Sequence, residues 1–340
     1  MTVPVFKPSI RRKEMDAVLT CMVNDNLWPG QLSEQFVKEA ASYIGAAGGI
    51  ALREYARAID VALDAMELES GSSVILSPLS PKEYLPALLK RGLVPLFADV
   101  NEQSGCVEPE RIEELLPRGP KAIIVHGPFG ILPDMERITA IGIPVMEDLS
   151  ASMGAHTGER KAGSYGKIAI IGLEPEGVIT AGGGAIVTGT GRREFNILKG
   201  IGETLPQSAF MTDLNAALGL TQLRGIEQYI GRRKEIGAIY VSSLAKSRYR
   251  TLVQPGDGEN VFHSFPVVFT MGTKDAVQYA KKRGVETVEG FPDAVIGVSE
   301  EARDCKTALS LSSRSILFPL YPMLGKKNVE IIAKILSTLP

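Results

Sequence analysis

Short, mostly apolar runs alternate with amphipathic segments between residues 56 and 147, and this alternation restricts the possible folds most strongly. The apolar runs that predict strands are residues 73–77, 94–98, 121–126 and 143–147. The segments with helical periodicity are residues 56–68, 82–90, 108–116 and 134–140. Strands that are apolar throughout need cover on both faces, and helices between them make the strands parallel. The sequence therefore predicts an α/β fold with a mostly parallel sheet, which binds ligands beyond the carboxyl ends of its strands.

The pattern changes after residue 166, which indicates a second unit. A strand is predicted at 167–173 and a hairpin-like segment at 178–188. Helical segments follow at 211–223 and 226–246, and then a second set of elements, with a strand at 262–270 and helices at 273–283 and 327–336. A chain of 340 residues is long enough for two domains. We predict an N-terminal arm (1–30), a large domain (31–235) and a small C-terminal α+β domain (236–340).

Composition excludes several classes of protein. The 37 basic and 39 acidic residues give a net charge of −2, whereas nucleic-acid-binding surfaces are usually strongly basic. No run of 18 apolar residues is present, and the N-terminus lacks a signal-peptide core. Three cysteines without a CxxC pair and three histidines without metal-ligand spacing predict neither disulfides nor a metal site. We expect a cytoplasmic protein without nucleic-acid or membrane partners.

Two adjoining motifs carry a resemblance to a known family. They are residues 147–155 (EDLSASMGA) and 158–166 (GERKAGSYG). Five further segments match in the same order: 92–99, 125–135, 183–188, 211–223 and 318–324. Together they resemble the sugar-nucleotide aminotransferases of the DegT/StrS type, enzymes of fold type I that use pyridoxal phosphate (PLP). The resemblance runs nearly from end to end and implies a three-layer αβα large domain with a mostly parallel sheet, followed by a smaller α+β domain.

The resemblance implies an amino transfer from glutamate to a keto sugar linked to a nucleotide. That chemistry needs a lysine for the Schiff base and a carboxylate at the pyridine nitrogen. It also needs a helix N-terminus for the phosphate and, in most members, an aromatic ring stacked on the cofactor. The segments 211–223 and 226–246 resemble the family's dimer-forming and domain-joining helices, so a homodimer is expected.

Only one of the family's cofactor positions keeps its residue. Asp148 lies at the position of the pyridine-nitrogen carboxylate, whereas Glu176 replaces the lysine, and no lysine lies between Lys167 and Lys199. Lys167 itself begins the predicted strand at 167–173, at the wrong end to substitute. The other positions have changed: Tyr55 and Ala56 in the phosphate loop, Pro81 for the stacking aromatic, Ala151 for a glutamine or histidine, Ile171 for the phosphate-binding serine, and Ser208 and Phe210 for the residues supplied across the dimer.

Three interpretations remain open. The first is a degenerate member that has lost PLP and binds a ligand such as a nucleotide sugar, or regulates a catalytic paralogue, in sugar or polysaccharide biosynthesis. No cofactor is then expected. The second uses Glu176 as a base, with the aminated cofactor PMP or without any cofactor. The third is an active PLP- or PMP-dependent aminotransferase or dehydratase acting on a nucleotide-linked keto sugar.

The sequence also predicts roles for the carboxylate of Asp148 and for the side chains of His126 and Trp28. Asp148 is expected either to bind the cationic nitrogen of a ligand or, as the favoured alternative, to pair with Arg53 or Arg57, which lie where the phosphate loop would be. His126 ends a predicted strand on the ligand side of the sheet and is expected to be structural. Trp28, the only tryptophan, is predicted either to line a sugar pocket or to serve packing.

Overall fold

The computed structural model describes residues 2–340. Its helices are α1 (Arg12–Val23), α2 (Gln31–Ile44), α3 (Tyr55–Ala65), α4 (Tyr84–Lys90), α5 (Pro109–Glu113), α6 (Met135–Ala140), α7 (Arg192–Thr204), α8 (Asp213–Leu223), α9 (Ile226–Leu244), α10 (Lys274–Lys281), α11 (Lys306–Arg314) and α12 (Lys326–Ser337). Its strands are β1 (Gly48–Leu52), β2 (Ser73–Leu76), β3 (Val94–Phe97), β4 (Ala122–His126), β5 (Val145–Asp148), β6 (His156–Thr157), β7 (Arg160–Lys161), β8 (Ile168–Gly172), β9 (Ala185–Gly189), β10 (Gly258–Glu259), β11 (Phe265–Val268), β12 (Val288–Glu289) and β13 (Ser315–Phe318).

A seven-stranded sheet in the order β1-β9-β8-β5-β4-β2-β3 forms the centre of the chain. Strands β3, β2, β4, β5 and β8 are parallel to one another, and β9 is antiparallel to both β8 and β1. The predicted α/β class with a mostly parallel sheet is therefore confirmed. Since two reversals restore the direction, β1 runs the same way as β8 and ends at the same edge of the sheet.

Two apolar cores cover the two faces of this sheet. Along β2, Val74 and Leu76 belong to one core and Ile75 to the other, because side chains alternate along a strand. Helices α3, α4 and α11 contribute to the first core, and α2, α6 and α8 to the second. The continuous apolar runs in the sequence are explained by this burial on both faces, which gives the predicted three layers.

The C-terminal part of the chain has its own small sheet, β11-β13-β12, and a third apolar core. Helix α9 leads into it and places Tyr240 against Phe265, with ring centroids 5.2 Å apart. The predicted domain boundary at residue 235 falls inside α9.

The predicted hairpin at 178–188 is wrong in its first half, since only β9 is a strand there. Gly182, Gly183 and Gly184 have φ values of 77°, 124° and 89°, which strand residues do not adopt. A Cβ on Gly184 would lie 2.6 Å from the carbonyl oxygen of Leu52. The glycines therefore form a tight turn that lets the chain pass close to the end of β1.

Among residues 2–340, no helix combines the length and the apolar character needed to cross a bilayer. The same residues contain no group of three or more possible metal ligands. Cys21, Cys106 and Cys305 are free and buried.

The N-terminal helices pack on α8, and a buried carboxylate fixes their position. Asp213, the first residue of α8, accepts hydrogen bonds from the backbone N–H groups of Gly30 (2.9 Å), Leu32 (3.2 Å) and Ser33 (2.9 Å). These are donors at the start of α2 that no turn of helix can satisfy. Asp213 therefore acts as the cap of α2 although it lies far away in sequence.

Replacing Asp213 with alanine should destabilise the protein by about 2 kcal/mol, because three backbone donors lose their acceptor. Urea unfolding followed by circular dichroism measures this change. Asp257→Ala is the matched control, since Asp257 is exposed and is expected to change stability by less than about 0.5 kcal/mol. Equal losses in the two variants would contradict the capping role.

Candidate functional site

Four strands deliver their carboxyl ends to one edge of the large sheet, and the candidate site lies there. In the parallel pair β4 and β5, His126 and Asp148 are register partners at the last position of each strand. Strand β1 ends at the same edge and leads into α3, whose first residue is Tyr55. Tyr84 begins α4 after the loop that follows β2. The topology therefore brings together side chains that are up to 93 residues apart in sequence.

Asp148 is the centre of this site and is only 1% exposed. One carboxylate oxygen, Oδ2, accepts hydrogen bonds from the hydroxyl of Tyr84 (2.8 Å) and from that of Tyr55. The other, Oδ1, accepts from the backbone N–H (2.9 Å) and the hydroxyl (2.6 Å) of Ser150. Two carboxylate oxygens offer about four acceptor positions. Side chains and backbone of this chain use all four.

The two tyrosines are held in their neutral, donating form. Burial raises the pKa of both Tyr55 and Tyr84 well above the ordinary value, and the negative charge of Asp148 raises both pKa values further. Each phenol keeps its proton at neutral pH and offers it to the carboxylate. Hydroxyl donors, and not a cation, thus stabilise the buried negative charge of Asp148.

His126 lies beside this network without joining it. Its Nδ1 atom is 4.0 Å from Oδ1 of Asp148 and has no hydrogen-bond partner within the described chain. Burial lowers the pKa of His126, and the nearby carboxylate opposes that shift. The ring is consequently neutral at pH 7. The structure places His126 at the ligand side of the sheet, as predicted.

The expected pairing of Asp148 with an arginine is wrong. Arg53 and Arg57 are both exposed, and neither forms a salt bridge among residues 2–340. Tyr55 takes their place, since its hydroxyl at the start of α3 donates to Asp148 at the end of β5. A phenol can satisfy a buried carboxylate at a lower desolvation cost than a guanidinium can.

Glu176, at the family's lysine position, is exposed in a turn that follows β8. The carboxylate of Glu174, two residues earlier, lies beside the glycine turn, with its Oε2 atom 3.6 Å from where a Cβ on Gly183 would lie. Burial and the neighbouring charges of Glu176 and Glu83 raise the pKa of Glu174. The sequence analysis did not identify Glu174 as a candidate site residue, although the sequence shows it directly before Pro175.

The remaining predicted positions are not gathered around Asp148. Ala56 and Ser208 are exposed, Pro81 and Ala151 are partly buried, and Ile171 is fully buried in a core of the sheet. Phe210 is partly buried, its backbone forms an isolated bridge with Leu52, and its ring packs against the first apolar core beside Gly202 of α7. Of the predicted site residues, the structure brings Asp148 and Tyr55 into contact.

These residues do not fit PLP in its usual attachment. A pyridinium nitrogen needs a free carboxylate lone pair, and the donors of Tyr55, Tyr84 and Ser150 occupy those of Asp148. A Schiff base needs a lysine, and Lys167 lies at the start of β8, at the opposite edge of the sheet.

A buried arginine joins the turn of Glu176 to the C-terminal part of the chain. Arg233 donates to the carbonyl oxygens of His263 (2.7 Å), Leu320 (3.3 Å) and Gly177 (3.3 Å). Burial lowers the pKa of Arg233 to about 10, and no carboxylate within the described residues pairs with it. One guanidinium thereby holds three separate segments beside the site.

Comparison with known proteins identifies the family of this chain and several related proteins. The family model described as "DegT/DnrJ/EryC1/StrS aminotransferase family" matches residues 8–337. The chain is 25% identical to the spore coat polysaccharide biosynthesis protein SpsC of Bacillus subtilis, over 96% of this chain and 94% of that one. It is also 25% identical to GDP-perosamine synthase of Escherichia coli O157:H7, over 98% and 97% of the two chains.

Solved structures share the fold. The aminotransferase TlmJ from Streptoalloteichus hindustanus superposes with a TM-score of 0.90 over 99% of this chain and 98% of that one, at 19% identity. Since the identity is low, this likeness concerns the fold alone, and it confirms the PLP-transferase architecture that the sequence motifs predicted.

Removing the hydroxyl of Tyr84 should cost about 1–3 kcal/mol of stability, because a buried carboxylate oxygen then loses a donor. Urea unfolding of Tyr84→Phe measures this loss. Tyr279→Phe is the control, since the Tyr279 hydroxyl bonds Thr338 at the surface (2.8 Å) and its removal should change stability by less than about 0.5 kcal/mol. A Tyr84→Phe variant as stable as the control would contradict the network.

His263 should make the protein sensitive to acid. Burial, together with the neighbouring Arg233 and His126 side chains, lowers the pKa of His263 to about 3 in the folded state. Between about pH 6.5 and pH 3 the unfolded chain binds a proton there and the folded chain does not, so stability falls as the pH falls. We expect His263→Gln to lose about 2 kcal/mol less than the wild type between pH 7 and pH 5.

Urea unfolding at both pH values tests this expectation. His156→Gln serves as the control, because His156 lies at the surface beside Glu259, 3.5 Å from its carboxylate. A pH dependence identical in the wild type and His263→Gln would show that His263 is not the group responsible.

Proposed function

Because the chain belongs to the DegT/DnrJ/EryC1/StrS aminotransferase family, we propose that it serves sugar or polysaccharide biosynthesis as a member without PLP Schiff-base chemistry. It acts as a ligand-binding or regulatory protein, whose ligand is a nucleotide-linked sugar and whose partners are a second copy or a catalytic relative. The names of its relatives, a GDP-perosamine synthase and a spore coat polysaccharide biosynthesis protein, support this role.

The main support for the proposal is that Asp148 already accepts hydrogen bonds at both of its carboxylate oxygens. In an enzyme that uses PLP as an electron sink, a carboxylate must stay available to the pyridine nitrogen. Here the hydroxyls of Tyr55 and Tyr84 take one oxygen and Ser150 takes the other. Displacing these donors would leave buried hydroxyls without a partner and would cost free energy each time a cofactor bound.

The replacement of lysine by glutamate adds a second, independent argument. Covalent attachment could offset weak binding of the ring, but Glu176 cannot form a Schiff base. Its side chain is exposed, and the negative charges of Glu174 and Glu176 lie in the same turn. An anionic cofactor phosphate or carboxylate substrate would meet repulsion there.

We also place this role in the cytoplasm. Three free, buried cysteines and no disulfide among the described residues support a reducing compartment. Nucleotide-linked sugars and a catalytic relative would be available to the protein there.

Incubation with PLP followed by borohydride tests the proposal. The wild type should show no retained absorbance after desalting beyond that of surface lysines. Glu176→Lys alone should also carry little pyridoxyl label at residue 176, because Tyr55 still occupies Asp148. In the double variant Glu176→Lys, Tyr55→Ala, residue 176 should carry several-fold more pyridoxyl label. Without the Tyr55 phenol, a lone pair of the Asp148 carboxylate is free to accept from the pyridine ring of PLP.

Peptide mapping of the reduced proteins locates the label, and the peptide with Lys167 provides the internal control because it lies at the far edge of the sheet. Circular dichroism verifies that each variant is folded. Stoichiometric labelling of the wild type, or tight retention of PMP in equilibrium dialysis, would overturn the proposal in favour of an active PLP- or PMP-dependent aminotransferase or dehydratase.

A further inference from the structure

Residues 291–296 lead from the small sheet to the large domain and cross part of the carboxyl edge of the large sheet. We call this segment the strap. It follows β12 and contains only the start of one 3-10 turn, Val295–Gly297. It contacts the loop between β2 and Tyr84 and the loop that follows His126. The strap therefore lies over the edge at which a ligand would reach the candidate site.

Three backbone hydrogen bonds fasten the strap to the loop after β2. They join the N–H of Val295 to the carbonyl oxygen of Ser80 (2.9 Å), the N–H of Ile296 to that of Pro78 (2.9 Å) and the N–H of Lys82 to that of Asp293 (2.7 Å). The side chains of Lys82 and Asp293 also form an ion pair, and both are exposed to solvent. Because exposed ion pairs contribute little to stability, the polar hold on the strap is modest.

The two halves of the strap differ in burial. Residues 294–296 are at most 4% exposed and belong to the first core of the large sheet. Residues 292 and 293 are exposed, and Phe291 is partly buried. The Phe291 ring packs on the ring of Phe129, with centroids 4.8 Å apart. The side chains of the first half are thus held by one ring contact and one ion pair.

Phe129 has a strained backbone conformation against the strap. Its φ is 57° and its ψ is 16°, in the left-handed region that a phenylalanine rarely adopts. Such a conformation persists only where the surroundings hold it, and the ring of Phe291 is one of the contacts that do so. Separating the two rings would allow Phe129 to relax. The strain therefore offsets part of the free energy that opening the strap costs.

Glycines flank the strap on both sides. The N–H of Gly290 donates to the carbonyl oxygen of Ser315 in β13 (2.8 Å), which anchors this end to the small sheet. At the other end, a Cβ on Gly297 would have no heavy atom of another described residue within 4 Å, its chain neighbours aside. A groove of about 1050 Å³, lined in part by Val298 and Ser299, lies beside that end. Gly297 can therefore change its backbone angles without a clash, as the hinge residues of lids do.

A buried hydroxyl group in the loop that the strap covers has no partner. Ser80 is 0% exposed, and its carbonyl oxygen accepts a hydrogen bond from the strap. Its Oγ atom makes no hydrogen bond to any described residue. A buried hydroxyl without a partner is unfavourable. A strap that never opened would leave this group unsatisfied permanently, whereas opening would let water or a ligand bind it.

We propose that the strap is a lid that opens locally and controls access to the carboxyl edge of the large sheet. Gly290 stays on β13 while the chain turns at Gly297, and Phe291 separates from Phe129. Opening then exposes Ser80 and the loop that follows His126. The purpose of this motion rests on the proposed ligand binding, whereas the motion itself is measured without a ligand.

Cysteine labelling of the full chain tests the opening. Ser80→Cys places a thiol in the covered loop with little change in size. Its labelling by N-ethylmaleimide, corrected for the rate in the unfolded chain, should be at least about tenfold faster than that of the native Cys106, which is 2% exposed in the first core. The rate at the introduced thiol should also rise less steeply with urea, because local opening exposes less surface than global unfolding.

Hydrogen exchange of the wild type gives a second measurement that needs no substitution. The amides of Val295 and Ile296 are released by the same opening and should exchange at least about tenfold faster than the amides of β4. Circular dichroism verifies that each variant is folded.

Substitutions in the contacts of the strap test what holds it closed. In the Ser80→Cys background, Asp293→Ala removes the ion pair and should raise the labelling rate about two- to fivefold. Phe291→Ala removes the ring contact with Phe129 and should raise the rate by about tenfold or more. Exchanging the charges, by Lys82→Asp together with Asp293→Lys, should return the rate to within about twofold of the background.

Arg193→Ala is the matched control for these variants. Arg193 forms an exposed ion pair with Glu67 (2.8 Å), outside the strap and the loops that it contacts. Its removal should leave the labelling rate at the introduced thiol unchanged.

Three results would overturn the inference. The first is an introduced thiol with the same labelling rate and urea dependence as Cys106, and the second is slow exchange of the Val295 and Ile296 amides that matches β4. Either would show that the strap separates only when the whole protein unfolds. The third is a labelling rate in Phe291→Ala and Asp293→Ala no higher than in Arg193→Ala. PLP labelling at residue 176 is read separately, so failure of this inference is distinguishable from failure of the proposed function.

Discussion

The buried carboxylate of Asp148 is the constraint on which the candidate site depends. A charge that is 1% exposed must be paired or fully hydrogen-bonded, since an unsatisfied buried carboxylate would destabilise the fold. In this chain the solution comes from three places: the start of α3, the start of α4 and the turn after β5. The strands that end at one edge of the sheet place these donors around a single side chain. The rest of the site follows from that arrangement, including the neutral tyrosines and the histidine left without a partner.

The sequence predicts the fold well because the large sheet is covered on both faces. Continuous apolar strands such as β4 and β8 are readable in the sequence, and so is the rhythm of helices between them. Elements whose pattern is weaker were not predicted. Helix α1 has one polar carboxylate, Glu14, on its buried side and an apolar stripe on its exposed side, which inverts the usual pattern. The tight turn at Gly182–Gly184 looked like part of a hairpin because apolar residues flank it.

The site is predictable in part, and its limits have a physical origin. The resemblance points to Asp148 and to the altered position of Tyr55, but not to the bond between them, since a loop residue reveals its direction only in three dimensions. The arginines on either side of Tyr55 seemed the better partners because they carry charge. Inside a protein, the free-energy cost of desolvating a guanidinium makes a phenol the better partner for the carboxylate. Tyr84 and Ser150 gave no signal of their own, because one hydroxyl among many has no pattern that distinguishes it.

The contact between Tyr55 and Asp148 also bears on how such a protein changes over generations. A single mutation that restored a lysine at position 176 would gain nothing while the phenol holds the carboxylate. A single mutation that removed the phenol would expose a buried charge and cost stability. Each of these two substitutions is therefore unfavourable or without effect by itself, and a Schiff-base site would need both. The network therefore couples residues 55 and 176, which lie far apart in sequence, so that the effect of a substitution at one position depends on the residue at the other.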